Sequence, residues 1–412
     1  MQTQVKLQSA LGPRGGQGRK TAFFFGAGYT ALRLAPHLRA MGYSIAATVR
    51  DGRKNRWLRA QGITPIAFKG QADAELKAVL SRAQIILSSA PPLRGGTDPI
   101  LSSLDTPLRA LAPRAVWAGY LSATSVYGDR QGGWAFEDEL LRPSTERGRA
   151  RIEAELTWLE TGLPLHVFRL AGIYGPKLGR GNSAVTRSPL ERLRSGKARA
   201  VIKPGHVVNR IHVDDIVSAL LASIAAPNPA RVYNIADGHP APPQEVIAFG
   251  ARLLNIPAPP TAKLDDPSVS DMARSFYMET KRIDISRARA ELGFAPRYGD
   301  YRQGLLALAD EDTKPRSAAT VYLAGHIDVP AEALEAVKAA LPQHIKLSRA
   351  EAGCLRFDAV QDKENPHRFH IFESFTSQAA FAAHQARTAQ SEWGEVSKAC
   401  LRDYALHGAD ML

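Results

Sequence analysis

From Thr21 onward the chain alternates short, wholly apolar runs with longer stretches whose apolar positions recur at three- and four-residue spacing. The run Thr21 to Gly26 ends in glycine, Tyr29 to Met41 carries helical spacing, and Tyr43 to Val49 is apolar again. This predicts strand, helix, strand. Further strand-like runs fall at Pro65 to Phe68, Gln84 to Ser88, Ala115 to Leu121, Leu165 to Leu170 and Arg231 to Ile235, with a strand and helix over Asn209 to Ile224. Fully apolar strands separated by amphipathic helices predict a parallel sheet covered on both faces. Thr186 to Arg199, Gln244 to Leu254 and Ile283 to Leu292 read as helices of a smaller lobe at the sheet's carboxyl edge.

The pattern changes after Glu311 to Ser317, a charged segment with a proline that suits a linker. Beyond it come a strand at Thr320 to Asp328, a helix at Ala331 to Leu341, and strands at Cys354 to Gln361 and Arg368 to Phe375. A helix at Ser377 to Gln390 and a last strand or helix near Tyr404 follow. The order βαββαβ predicts a ferredoxin-like α+β unit. An open sheet of this size often covers its bare face with a second copy, so a homodimer through this unit is expected. The expected organisation is a basic tail over residues 1–20, an α/β domain over 21–312, a linker over 313–318 and an α+β domain over 319–412.

Composition narrows the picture little. With 412 residues, 44% apolar and 23% charged, the chain is too long for one core and ordinary for folded protein. No apolar run reaches the roughly 20 residues of a membrane helix, so no membrane role is expected. Two cysteines, Cys354 and Cys400, and no apolar signal core point to a reducing, cytoplasmic setting. Charge is uneven. From Ala318 onward nine Lys/Arg stand against twelve Asp/Glu, a net of −3, and the preceding part of the +13 chain therefore carries +16. Such a field attracts anionic cofactors or substrates. No aromatic-interleaved basic motif accompanies it, so nucleic acid is not expected as a partner.

The chemistry begins at Gly26-Ala-Gly-Tyr-Thr-Ala31, where a strand turns into a helix. Glycines there let the backbone approach a pyrophosphate held at the helix N-terminus. The second strand ends in Thr48-Val-Arg50, followed by Arg53 and Lys54. Arginine pairs with a 2′-phosphate where an acid would accept from a ribose hydroxyl, so NADP(H) is favoured over NAD(H), although Asp51 stands one residue on.

Five separated motifs carry a resemblance: GAGYTA; Ser88-Ser-Ala-Pro-Pro92; Tyr120-Leu-Ser-Ala-Thr-Ser-Val-Tyr-Gly128; Arg169-Leu-Ala-Gly-Ile-Tyr-Gly-Pro176; and Arg210-Ile-His-Val-Asp-Asp215. In this order they resemble the extended short-chain dehydrogenases and NAD-dependent epimerase/dehydratases, nearest their atypical branch. The resemblance implies an NAD(P)-binding Rossmann fold with a small substrate lobe. It places the dinucleotide against Gly26, Gly28, Tyr29, Thr30, Ala31, Arg50, Ser89, Ala90, Pro91, Ser122, Ala171 and Ile173. The family's chemistry uses a tyrosine, a lysine four residues later and a Ser or Thr. The matching region here reads Arg147-Gly-Arg-Ala-Arg151, and the usual hydroxyl position is Ala123, with Ser122, Thr124 and Ser125 beside it. Arginine stays protonated and shuttles no proton near neutrality.

Three readings follow. One is an NADPH-dependent reductase of a quinone-like or aromatic acceptor, with Tyr120, Tyr127, Tyr174 or solvent supplying the proton. Another is an altered sugar-nucleotide epimerase or dehydratase whose arginines hold an anionic substrate. The last is a catalytically silent NADP(H)-binding scaffold. His212-Val-Asp-Asp215 is expected to cap a helix through Asp214 or Asp215 rather than to bind metal, and no metal site is expected elsewhere.

In the second unit, Ser348-Arg-Ala-Glu351, Gly353-Cys-Leu-Arg-Phe357, Asp362-Lys-Glu-Asn-Pro366, Phe369-His-Ile-Phe-Glu-Ser-Phe375 and Phe381-Ala-Ala-His384 resemble the antibiotic-biosynthesis monooxygenase family of dimeric α/β barrels. The resemblance implies cofactor-independent oxygenation of a quinol in an apolar pocket. His384 and His326 are the candidate proton acceptors and Glu373 the orienter. His367 and His370, three apart on a strand, point to opposite faces and are not expected to share a metal.

Overall fold

The computed structural model describes residues 20–407 except 94, 179–186, 197, 268, 270, 272, 273, 275, 314–319, 363 and 364. The expected basic tail and linker lie almost wholly outside the described residues. The first unit is a seven-stranded parallel sheet built from β1 (Thr21–Phe25), β2 (Ser44–Val49), β3 (Ile63–Ala67), β4 (Ala83–Ser88), β5 (Trp117–Ala123), β6 (Leu165–Leu170) and β7 (Val232–Ile235). The strand order is β7-β6-β5-β4-β1-β2-β3, all parallel. The chain reverses direction across the sheet between β1 and β4, which is where a ligand crevice forms at the strands' carboxyl ends.

Sequence explains the layers. All five residues of β1 are buried. Phe24 enters the cluster on one face with Leu34, Leu38 and Leu220, whereas Phe23 and Phe25 enter the other with Ile86, Leu108 and Trp158. Successive side chains point to opposite faces, so a continuous apolar run means burial on both. Three helices position the site. They are α1 (Tyr29–Ala40), α2 (Glu146–Leu159) and α3 (Val213–Ala225). A lobe with its own core of Leu190, Leu193, Val246, Tyr301 and Leu305 sits beside the crevice.

The second unit contains β8 (Val321–Asp328), α4 (Leu334–Ala350), β9 (Cys354–Gln361), β10 (Arg368–Phe375), α5 (Gln378–Ala389) and β11 (Leu401–His407), with antiparallel order β9-β10-β8-β11. The element near Tyr404 is a strand. The helix expected to stop at Leu341 continues through Pro342 to Ala350. An interior proline costs about 3 kcal/mol. Val337, Ala340, His344 and Ser348 are buried at three- and four-residue intervals along α4, and that packing outweighs the loss.

One face of this sheet meets α4 and α5 through Val321, Leu323, Ile327, Phe369, Ile371 and Phe375. The other face, expected to await a second copy, packs on α1 and α3 of the same chain. Ala324 and Phe372 join the first unit's core, with Tyr322 and Val360 against it. His37 of α1 meets the Tyr322 ring edge-on at 5.2 Å. Polar contacts ring this contact: Ser218 Oγ donates to Asp358 Oδ2 at 3.0 Å, Arg349 Nη2 to Asp358 Oδ1 at 2.8 Å, and Arg297 Nη2 to the Cys354 carbonyl at 2.7 Å. No helix among the described residues is long and apolar enough to cross a membrane.

Candidate functional site

The crevice at the carboxyl edge of β1, β4 and β5 has a volume of about 640 Å³. Its floor is the turn between β1 and α1. Gly26 has φ +93°, a conformation open to glycine, and its N–H donates to Thr48 Oγ1 at 2.8 Å. A Cβ at Gly26 would lie 3.1 Å from Ser89 Oγ, and one at Gly28 3.3 Å from the same atom. Gly28 is the N-cap of α1, whose first N–H groups have no side-chain cap. Backbone donors at an open helix N-terminus, in a cradle that side chains would fill, fit a pyrophosphate. The Ser89 hydroxyl bonds the Gly26 carbonyl at 3.1 Å and holds the turn.

Gly28, Tyr29, Thr30, Ser89, Pro91, Ser122, Ala171 and Ile173 line the crevice. Ala31 does not. It is fully buried in the core of α1. Ala90 packs against the core under β4 and Arg50 is exposed at the end of β2. There Asp51 accepts from the backbone N–H of Arg53 at 3.1 Å and pairs with its guanidinium at 2.7 Å. Those bonds hold the Asp51 carboxyl down at about 2 and engage the one acid that would favour a ribose hydroxyl.

The expected hydroxyl and tyrosine donors fare differently. Thr124, Ser125, Arg147 and Arg151 line the crevice, with Arg187, Phe276, Glu279 and Lys281. The Arg147 guanidinium lies over the Phe276 ring at 5.8 Å, and Arg151 Nη1 donates to the Leu121 carbonyl at 2.8 Å. Ser122 is corrected as a substrate orienter: its hydroxyl donates to Glu155 Oε1 at 2.5 Å, and Glu155 is also bound by Arg169 at 2.8 Å in a buried pair. Tyr127 is corrected likewise. It is fully buried, donating to Asn234 Oδ1 at 2.7 Å and accepting from Arg169 Nη1 at 3.0 Å. Tyr120 stacks on Trp158 at 5.9 Å inside the opposite core, and Tyr174 packs edge-on to His212 at 5.3 Å. None of these three tyrosines lines the crevice. Burial raises all three phenols above their ordinary value.

The His212 motif does cap the helix, but through His212 itself and not through Asp214 or Asp215 as expected, because both carboxylates are taken by other partners. His212 Nδ1 accepts from the Asp214 N–H at 3.3 Å and caps α3. Asp214 pairs with Arg33 of α1 at 2.5 Å, while Asp215 accepts from the backbone N–H groups of Arg297 at 2.7 Å and Tyr298 at 3.1 Å.

A second polar cluster lies between the sheet and helices of the C-terminal unit. His384 Nδ1 meets Glu351 Oε2 at 2.8 Å, and its Nε2 lies 3.8 Å from Glu373 Oε2. Arg387 donates to Glu351 and, at 2.8 Å, to Ser348 Oγ. Phe375 and Phe357 flank His384 at 4.9 and 5.5 Å, and His344 stacks on Trp393 at 4.6 Å. Burial pushes the Glu373 carboxyl up to about 8, with the Glu351 charge adding to it, and burial lowers His384 below its usual range. Near neutrality this gives a neutral imidazole beside a protonated acid. His326 is not part of it. It shares the outer face with Tyr322 and Ala324, pairs in register with His370 and lies 3.6 Å from Asp328, whereas Glu373 points inward. His367 Nδ1 lies 3.1 Å from the Val329 carbonyl and His370 Nε2 2.8 Å from Asp362.

Residues 108–236 match the family model described as NAD dependent epimerase/dehydratase family, and residues 320–396 match antibiotic biosynthesis monooxygenase. A functionally unknown conserved protein from Silicibacter pomeroyi, of solved structure, is 42% identical, covering 72% of this chain and all of that one at a TM-score of 0.64. The first unit belongs to the NAD-dependent epimerase/dehydratase family. The second is an antibiotic biosynthesis monooxygenase domain. Protein YeeZ of Escherichia coli K12 is 29% identical over 300 residues, spanning 68% of this chain and 97% of its own. The solved dTDP-glucose 4,6-dehydratase of Bacillus anthracis, in complex with NAD, shares the fold at 18% identity, with 72% and 97% coverage and a TM-score of 0.56.

Arg147 and Arg151, which the resemblance puts at the family's tyrosine and lysine positions, both line the crevice beside the open N-terminus of α1. Motif reading missed Lys281, Glu279, Arg187 and Phe276. They fall in two stretches outside the five motifs, one at Arg187 and one from Phe276 to Lys281, and the path of the chain brings both to the crevice. In the monooxygenase domain it missed His344 and the roles of Glu351 and Arg387. The spacing of His384 and Arg387, one turn apart on α5, was the available signal.

Proposed function

We propose that the first unit binds NADP(H) in preference to NAD(H) and reduces a quinone-like aromatic acceptor to the quinol by hydride plus a proton from solvent, and that the monooxygenase domain, without a cofactor, oxygenates a quinol with dioxygen, releasing water. One observation supports the reading: the open N-terminus of α1 and the side chains of Arg147 and Arg151 line one crevice, and the resemblance puts those arginines where the family has its tyrosine and lysine. A substrate that needs a base to start its chemistry is ill served by such a site. An electrophilic ring that accepts hydride directly is well served. When bound, the dinucleotide supplies the hydride; Gly26, Gly28 and the start of α1 hold its pyrophosphate, and Arg50 with Arg53 supports the 2′-phosphate preference. The cationic lining of Arg147, Arg151 and Arg187 stabilises negative charge that develops on the reduced ring. In the second unit, neutral His384, oriented by Glu351, is placed to take a phenolic proton, with protonated Glu373 as a hydrogen-bond donor.

The test is titration of NADPH and NADH into the full chain, then a panel of benzoquinones and naphthoquinones with absorbance followed at the nicotinamide band. Consumption of NADPH with at least one quinone is expected, and binding with no consumption across the panel overturns the reductase reading. That second outcome would favour a silent NADP(H)-binding scaffold. Docking of the monooxygenase sheet on α1, the helix whose N-terminus forms the cradle, supports this alternative.

A further inference from the structure

Among the described residues that line the crevice, those with ionisable side chains are Tyr29, Arg147, Arg151, Arg187, Glu279 and Lys281. The arginines keep their protons. The Tyr29 hydroxyl donates to the Pro176 carbonyl at 2.7 Å. Glu279 and Lys281 remain, and they form an ion pair about nine-tenths buried, with side-chain exposures of 11% and 9%. Lys281 Nζ also donates to the Gly128 carbonyl at 2.7 Å. An ammonium has three donors, so two are used by protein and one is left. Glu279 Oε1 is buried with no hydrogen-bond partner. A spare donor and a spare acceptor on adjacent, desolvated groups are costly unless a ligand satisfies them.

The segment that carries them is held rigidly. The Thr280 N–H donates to Asp129 Oδ1 at 2.7 Å, Asn209 Nδ2 to the Lys281 carbonyl at 2.9 Å, and the Ile283 N–H to Asn209 Oδ1 at 2.9 Å. Thr280 faces His206, whose Nδ1 lies 2.7 Å from its hydroxyl, so residues 279 and 281 are turned to the crevice by alternation. Gly128 ends the loop that carries Thr124 and Ser125, which sets the ammonium beside the family's catalytic wall.

We propose that Lys281 and Glu279 form the subsite for the acceptor's oxygen, the ammonium donating to a carbonyl or hydroxyl oxygen and the carboxylate accepting from the hydroxyl form. The inference rests on the reductase reading for the name of the acceptor, and on the crevice alone for the subsite. Burial lowers the Lys281 pKa below its ordinary value, and the adjoining Glu279 partly opposes that. The ligand class is a hydroxylated or carbonyl-bearing aromatic ring, and its redox partners are a ketone-like oxygen that accepts from Lys281 and a phenol that also donates to Glu279.

The experiment uses the full chain and redox-inert probes. Calorimetric binding of 4-hydroxybenzoate is compared with benzoate, in the presence of NADP⁺, for wild type, Lys281→Met and the double variant Lys281→Met with Glu279→Gln. Wild type is expected to prefer the hydroxylated probe by at least about fivefold, roughly one hydrogen bond. Both variants are expected to erase that preference while NADP⁺ affinity stays within about twofold. The double variant removes the unpaired buried carboxylate that destabilises the single variant. Equal binding of the two probes by wild type, or an unchanged preference in the double variant, overturns the subsite. Quinone-dependent NADPH oxidation is a separate readout, so a failed reductase reading leaves the binding result to stand or fall by itself.

Discussion

The protonated acid in the monooxygenase domain has a measurable signature. Glu373 has an ordinary value of 4.5 and is pushed to about 8 by burial and by the Glu351 charge. A raised carboxyl means that the folded state holds a proton the unfolded state has released. Its stabilisation is complete below 4.5 and is lost as pH rises through about 8. At about 1.4 kcal/mol per pH unit the whole span amounts to roughly 4 to 5 kcal/mol. The buried histidines His384, His344 and His212 titrate in the opposite sense, being lowered by burial, and their contribution ends near the unfolded value of 6.5. The informative window is therefore about pH 6.5 to 8, where Glu373 alone is worth roughly 2 kcal/mol. Asp215 and Asp237, both raised to about 7 by burial, slope the same way in wild type and variant and cancel in the comparison. Glu373→Gln keeps the shape and removes the titration. Melting temperature against pH, by calorimetry on the full chain, should show the variant gaining on wild type across this window. For a unit of about 90 residues the gain is roughly 10 °C. Parallel curves for the two proteins would refute the claim that Glu373 is protonated near neutrality.

Three further outcomes are expected. Alanine at both Arg50 and Arg53 should weaken NADPH about 10- to 100-fold by calorimetry, the worth of one charge-assisted hydrogen bond, and leave NADH within about threefold; equal losses for both nucleotides would remove the 2′-phosphate assignment. Gly26→Ala places a side chain at φ +93° against Ser89, a strain of about 1 to 3 kcal/mol, and should lower both the melting temperature and dinucleotide affinity; full binding would show that the turn is not the cradle. Asp358→Ala strands Arg356 and Arg349 at the contact between units and should cost about 3 to 5 kcal/mol, read as earlier melting of the monooxygenase domain, with much of the loss recovered when Arg356→Met is added; no recovery would locate the cost elsewhere.

Much of the architecture is legible in the chain because burial on both faces leaves an unambiguous mark. Thr21–Phe25 and Leu165–Leu170 are apolar or buried at every position, and such runs alternating with amphipathic helices admit few folds. The helix through Pro342 was not legible, since the cost of proline is local and its compensation is packing against a distant sheet. Site residues divide the same way. Gly26 and Gly28 announce themselves by spacing. Ser122 looked available because its partner Glu155, thirty-three positions on, faces it only once α2 packs on β5. Lys281 and Glu279 carried no motif. On the outer face of the second sheet, Tyr322, Ala324 and Phe372 formed an apolar patch among charges, a visible sign that something covers it. The sequence could not say that the cover is α1 and α3 rather than a second copy.

That docking constrains how the two units can cooperate. Phe372 and Glu373 are consecutive residues of β10, one against α1 and α3, the other facing His384. The two candidate sites therefore lie on opposite sides of one hydrogen-bonded sheet, and among the described residues none that lines the crevice comes from the second unit. A quinol formed in the crevice has no path through a ladder of paired strands; it must pass around the sheet edge, through solvent. Direct transfer is thus a poor reason for the fusion, and α1 is a better one. Its N-terminus is the proposed pyrophosphate site, while along its length Arg33 and His37 meet Asp214 and Tyr322. A dinucleotide that fixes the first turn of α1 also fixes the surface on which the monooxygenase sheet rests. Linkage then requires that docking of that sheet raise dinucleotide affinity by the factor by which the dinucleotide strengthens docking.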